Sequence, residues 1–193
     1  VVKVISDKDK TNKAGKTIAI EYAYRNLKAY FRFGLITLIG LAADLATKHW
    51  AVNNIPSDEY GNPQPIDIIP DYFRFILGHN PGAVWGIGAG NTKLLLITSM
   101  IAVILLLWFF ALSRASQWGW HIALGMMLAG ALGNLYNRLF TGGYVVDFIQ
   151  IDLHFWPANP WPTFNIADIL LTLGVGVLLI CMLRHSRSEG RPE

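Results

Sequence analysis

Four long apolar runs break an otherwise polar chain. They extend over Phe33 to about Val52, about Leu94 to Leu112, about Trp118 to Leu135, and about Phe164 to Leu183. Each approaches or exceeds the roughly 20 residues a helix needs to cross the hydrocarbon core of a bilayer. The pattern predicts four transmembrane helices. The third run carries Gly125, Gly130 and Gly133, small residues through which helices approach closely, so it is expected to pack centrally. Between the first and second runs the period changes. Residues 53–93 alternate apolar and polar positions around Ile66, Ile68, Tyr72, Arg74, Phe75 and Leu77, punctuated by Pro56, Pro63, Pro65 and Pro70. That stretch predicts a small sheet or cradle lying on the bilayer. No internal repeat or low-complexity tract is visible.

Composition sharpens this picture. The 193 residues suit one domain, and only 15% are charged against 53% hydrophobic, with mean hydropathy +0.37. A soluble domain carries about 25% charged residues, so a water-facing surface and general disorder are both excluded. The lone Cys181 excludes a disulfide framework and a multi-thiolate metal site. A net charge of +3 and a pI near 9.0 would suit nucleic acid, but the placement of the charges points elsewhere.

Twelve of the sixteen basic residues fall in three regions: residues 1–32, the Arg114 loop, and the tail with Arg184, Arg187 and Arg191. The positive-inside rule makes these cytoplasmic, with both termini inside. Residues 53–93 and 139–163, which hold Asp58, Glu59, Asp67, Asp71, Asp147 and Asp152, are then extracytoplasmic. The expected organisation is a basic cytoplasmic extension (1–32), a four-helix membrane domain (33–183) and a cytoplasmic tail (184–193). The fold class is an all-α membrane protein with a small extracytoplasmic β-cradle. Residues 1–32 do not read as a signal peptide, because eleven of them are charged. The chain begins at Val1, ahead of which an initiator methionine or a leader is expected.

Ionisable groups inside a span cost about 2.5–3.5 kcal/mol each on insertion scales, so each calls for a reason. Asp44 and Lys48, four apart on one helix face, read in two ways. They form an ion pair that fixes packing, with Lys48 reaching to the outer interface, or they contact substrate directly. Asp147 lies in the β-branched stretch Gly142-Gly143-Tyr144-Val145-Val146-Asp147-Phe148, and Asp168 in the first turn of the fourth run. Both flank one outer loop. Read plainly, Asp147 is a solvated loop carboxylate, and Asp168 caps a helix three residues after Asn165. Read as chemistry, they are two carboxylates sharing a proton, one activating water and the other polarising a carbonyl. That needs no cofactor. Metal, serine and thiol chemistry fare worse. The five histidines lack ligand spacing, Ser99 lacks a Gly-x-Ser context, and Cys181 reads as a packed small hydrophobe. Gly82 to Gly90 reads as turns rather than a phosphate loop.

Five segments then occur in order: Asp44-Leu45-Ala46-Thr47-Lys48, Asn80-Pro81-Gly82-Ala83-Val84-Trp85-Gly86, Gly133-Asn134-Leu135-Tyr136-Asn137-Arg138, Val145-Val146-Asp147-Phe148, and Phe164-Asn165-Ile166-Ala167-Asp168. Over about residues 33–183 the chain resembles lipoprotein signal peptidase (signal peptidase II), the bacterial membrane aspartic protease family. The resemblance implies cleavage of the signal peptide just before a diacylglyceryl-modified cysteine in a prolipoprotein, at the bacterial inner membrane. It implies Asp147 and Asp168 as catalytic residues, with Asp44, Lys48, Asn80, Gly82, Asn134, Arg138 and Asn165 as the polar substrate-binding surround. It also implies membrane lipid and globomycin-type inhibitors as partners, and neither metal nor nucleic acid. Many members carry Asp at the position of Asn137, and the extension 1–32 is longer than usual. Arg138 is expected to bind backbone of the outer loop rather than the aspartates, because its charge beside them would keep both ionised. A small carrier and a non-catalytic scaffold are the competing readings. A carrier places its ionisable groups near the membrane midplane, whereas these lie at an edge.

Overall fold

The computed structural model describes residues 7–82, 90–155 and 159–189. Four helices carry the mass of the chain: α1 (Asp7–Asn54), α2 (Thr92–Leu112), α3 (Trp118–Phe140) and α4 (Ile166–Glu189). Three strands, β1 (Ile66–Ile69), β2 (Phe73–Asn80) and β3 (Val145–Ile151), form one antiparallel sheet in the order β1-β2-β3. The expected small sheet is therefore present. Its third strand comes from the second loop, so the sheet ties residues 66–80 to the segment that carries Asp147.

Three helical segments are long and apolar enough to cross a membrane: Asn26–Asn54, Thr92–Leu112 and Ile166–Arg184. The third predicted span, α3, is a 23-residue helix whose His121, Asn134, Asn137 and Arg138 lower its apolar character. It packs against α1, α2 and α4, so its polar groups meet protein. Gly130 and Gly133 show how close that packing is. A Cβ on Gly130 would strike the Ala167 carbonyl of α4, and one on Gly133 would overlap the Asp44 carboxylate of α1. Outward-facing Leu38, Ile101, Ile104, Trp108, Leu179 and Leu183 leave broad apolar surfaces on the other helices. Helix α1 runs unbroken through residue 33.

Two apolar clusters fix the two ends of the bundle. Away from the sheet, Phe33 stacks on Phe110 at 3.9 Å beside Leu106, Leu124 and Leu128. At the sheet end, Ala51, Ile55, Phe148 and Ile149 pack with Phe73, Phe75 and Phe164. Val145 to Ile149 are all buried, because helices cover the sheet on one side and residues 161–164 run along its edge. One extra residue between Phe75 and Gly78 bulges β2 opposite Phe148, beside the Gly78–Asp147 pair, the kind of irregularity that re-aims a strand's side chains.

Candidate active site

The site grows from the start of α4. A helix begins with backbone N–H groups that have no partner inside it. Here Asn165 Oδ1 accepts from Asp168 N at 3.1 Å, while Asp168 Oδ2 accepts from Asn165 N at 3.1 Å. This reciprocal cap confirms the plain reading of Asp168. Asp44 of α1 caps the same turn from outside, its Oδ1 accepting from Ala167 N at 2.8 Å.

The cap also reaches Asp147. Asn165 Nδ2 donates to Asp147 Oδ1 at 2.6 Å, and Asn80 Nδ2 donates to Asp147 Oδ2 at 3.0 Å. Asn134 Nδ2 donates to Asp168 Oδ1 at 3.0 Å. All four oxygens of the two carboxylates therefore accept from amide N–H groups, and Asn165 touches both acids. Asp147 is 1% exposed and is no solvated loop carboxylate. Burial first, and then the nearby Asp168 charge, push its carboxyl from the ordinary 3.8 up to about 6. The Asn80 and Asn165 bonds and the Lys48 charge oppose that rise.

Asp44 and Lys48 form the expected ion pair, Nζ to Oδ2 at 2.8 Å. One part of that expectation is corrected. Lys48 does not reach to the interface; it turns inward, 3% exposed, and donates to Asn134 Oδ1 at 2.8 Å. The inward acceptors replace the water a snorkelling ammonium would seek. Arg138 behaves as expected. Its Nη2 donates to the Gly82 carbonyl at 3.1 Å, its Nη1 to Ser99 Oγ at 3.2 Å, and no described carboxylate pairs with it. Gly82 N in turn donates to Asn80 Oδ1 at 2.9 Å.

A single path of contacts thus runs Asp44, Lys48, Asn134, Asp168, Asn165, Asp147, Asn80, Gly82, Arg138. Every site residue expected from sequence lies on it. Among the described residues no three His, Cys, Asp or Glu side chains gather as a metal-binding set. Of the glycine-rich stretch, residues 83–89 lie outside the described residues.

The family model for signal peptidase (SPase) II matches residues 36–184. The chain belongs to the signal peptidase II family. A lipoprotein signal peptidase of Clostridium novyi (strain NT) is 38% identical over 153 residues, covering 79% of this chain and 98% of its own. One from Pseudomonas putida is 36% identical over 159 residues, covering 80% and 88%. A bacterial membrane enzyme solved by the in meso method at 2.3 Å resolution superimposes with a TM-score of 0.72 at 30% identity, over 83% of this chain and 93% of that one. At Asn137, where the resemblance implies an acid in many relatives, the structure shows what the position does. Asn137 Oδ1 accepts from Val146 N at 3.2 Å and so steadies the strand beside Asp147. An acceptor oxygen suffices there, and an amide supplies one without a charge.

Sequence reasoning dismissed Ser99 as a nucleophile and missed its contact with Arg138. The signal was present in the spacing, because Ser99 falls four residues after Leu95 on the buried stripe of α2.

Proposed function

We propose that this signal peptidase II family member is an intramembrane aspartic endopeptidase that removes the signal peptide from diacylglyceryl-modified prolipoproteins, cutting before the lipidated cysteine. Asp147 and Asp168 are its catalytic pair. The observation that carries this reading is Asn165, hydrogen-bonded to both acids at once. It holds the buried Asp147 beside the half-buried Asp168, where like charges repel and one proton is shared by the pair. The ionised member takes a proton from water as that water attacks the scissile carbonyl. The protonated member donates to the carbonyl oxygen, giving a gem-diol; as its C–N bond breaks, one acid protonates the leaving amine and the other takes a proton back from a gem-diol hydroxyl. The proton belongs to the pair, so neither role is tied to one residue.

In the same reading all four helices span the inner membrane, both termini are cytoplasmic, and the sheet lies outside with the active site beneath it. The acidic loops at the sheet end and the basic loop and tail at the other support that orientation. Asp147 on a strand and Asp168 in a first helical turn sit at the edge of the bundle, which favours a peptidase over a midplane carrier. Asp44, Lys48, Asn134 and Asn165 are buried and bonded to one another, so they act mainly by positioning the acids. Asn80, Gly82 and Arg138 bind one another where β2 ends, the place the peptide or a globomycin-type inhibitor would occupy. No cofactor enters the scheme.

The test is cleavage of a diacylglyceryl-modified prolipoprotein by the purified protein in lipid, with a chelator present. The wild-type chain should cut it. Asp147→Asn and Asp168→Asn should each lose activity by at least about 1,000-fold, because an amide does not exchange the proton. Substantial turnover in either variant would overturn the assignment.

A further inference from the structure

The scheme above draws on α1, α3, α4 and β3 and leaves α2 without a task. Leu95, Leu106 and Phe110 are the buried residues of α2, and Ser99 and Val103 continue the same stripe at helical spacing. Ser99 is the hydroxyl on that stripe. Its neighbour Thr98 satisfies itself within the helix, donating to the Leu94 and Leu95 carbonyls at 3.0 and 3.1 Å. Ser99 Oγ instead accepts from Arg138 Nη1 at 3.2 Å.

From Arg138 the path is short. The other guanidinium nitrogen, Nη2, holds the Gly82 carbonyl at 3.1 Å. Gly82 N holds Asn80 Oδ1 at 2.9 Å, and Asn80 Nδ2 holds Asp147 Oδ2 at 3.0 Å. A second contact places α2 against the same strand. Thr92 lies so near Gly143 that a Cβ there would overlap its side chain, and Gly143, at φ 96°, sits just before β3.

We propose that Ser99 is a positioning residue for the peptidase reaction, fixing the Arg138 guanidinium and, through Gly82 and Asn80, the geometry of Asp147. This rests on the reading of Asp147 and Asp168 as the catalytic pair. The physical case is the fork of Arg138. Among the described residues its Nε is buried without a hydrogen-bond partner, so the two Nη groups carry its anchoring there. With Gly82 alone the guanidinium pivots about one bond; with Ser99 as well, it is held at both tips. Asp168 from α4, Lys48 from α1 and Arg138 from α3 are the charges that face Asp147. Together with the Lys48 charge, and against burial and the Asp168 charge, the Asn80 bond favours the ionised form of Asp147, so loosening it makes Asp147 hold its proton to higher pH.

The experiment compares full-length wild type, Ser99→Ala, Ser99→Thr, Arg138→Ala and the Ser99→Ala/Arg138→Ala double variant on the diacylglyceryl-modified substrate. Ser99→Ala should lower kcat about tenfold with KM within about twofold, since the lost bond touches no substrate. Its acid limb of the pH profile should move to higher pH. Ser99→Thr keeps the acceptor oxygen and should restore kcat to within about threefold. In the Arg138→Ala background, removing Ser99 should change kcat by less than about twofold, because both residues act along one path. A Ser99→Ala protein with wild-type kcat and pH profile would overturn the proposal. So would a loss that adds in full to that of Arg138→Ala. A wild-type chain that cleaves nothing would instead sink the peptidase reading itself, and the Ser99 role with it.

Discussion

Asn165 does three things with one side chain and one backbone N–H: it caps α4, holds Asp168 and holds Asp147. The two readings of Asp168, helix cap and catalytic acid, are therefore not rivals, because the cap is what aims the carboxylate. Asp147 makes a matching prediction about pH. Its carboxyl titrates near 6 in the folded chain, above the ordinary 3.8. A raised acid favours the fold below the unfolded value and loses that contribution as pH rises through the folded one. Wild-type stability should thus decline between about pH 4 and 6 relative to Asp147→Asn, and the difference should level off above that range. The amide also sets an NH2 against the donor of Asn80 or Asn165, a roughly constant cost of about 1–3 kcal/mol. The slope of the difference, measured by thermal unfolding in detergent from pH 4 to 8, carries the test. Parallel curves would show that Asp147 titrates normally.

At the scale of elements, α3 is the helix around which the site is arranged. Gly133 makes room for the Asp44 carboxylate and Gly130 for the first turn of α4. Gly133→Ala should lower stability by about 1–3 kcal/mol, as overpacking does, and should impair cleavage by pushing Asp44 off Ala167. Gly176 of α4 has nothing within 4 Å of an added Cβ. Gly176→Ala should be neutral or stabilise by up to about 1 kcal/mol, a control for helix propensity alone. Equal melting temperatures for the two variants would remove the close-approach argument. Arg138 offers a second test at this scale, since it joins α3 to α2 and to the loop after β2. Arg138→Lys keeps the charge and loses the fork, so it should impair cleavage nearly as much as Arg138→Ala. A fully active lysine variant would show that charge alone matters. Much of this arrangement was legible in advance. The glycine run forecast a central helix, and the alternation over 66–77 forecast strands, but the third strand pairs residues more than sixty positions apart, which no local period reports.

For the whole molecule, the proposed topology puts the sheet outside and the termini inside. Tyr60, at 81% exposure near the tip of the first loop, is a suitable probe. In a Cys181→Ser background, Tyr60→Cys should react with an impermeant thiol reagent added to intact cells, while a cysteine placed after Glu193 should not. The opposite labelling would invert the topology and place the acids on the wrong face. The sequence by itself determined four apolar runs and their charge asymmetry, and its ordered segments, through the family they resemble, marked two aspartates and a polar surround. The runs and charges are local quantities, since hydrophobicity and charge can be read along the chain without knowing what touches what. Only the tertiary structure decided how the polar residues pair. Asp44 meets an N–H 123 positions away, Lys48 turns inward to Asn134, and Ser99 steadies Arg138 from a helix of otherwise apolar face. A buried hydrogen bond forms over a few tenths of an ångström and a narrow range of angles. Those depend on how closely and at what rotation the helices pack, and hydropathy carries no record of either.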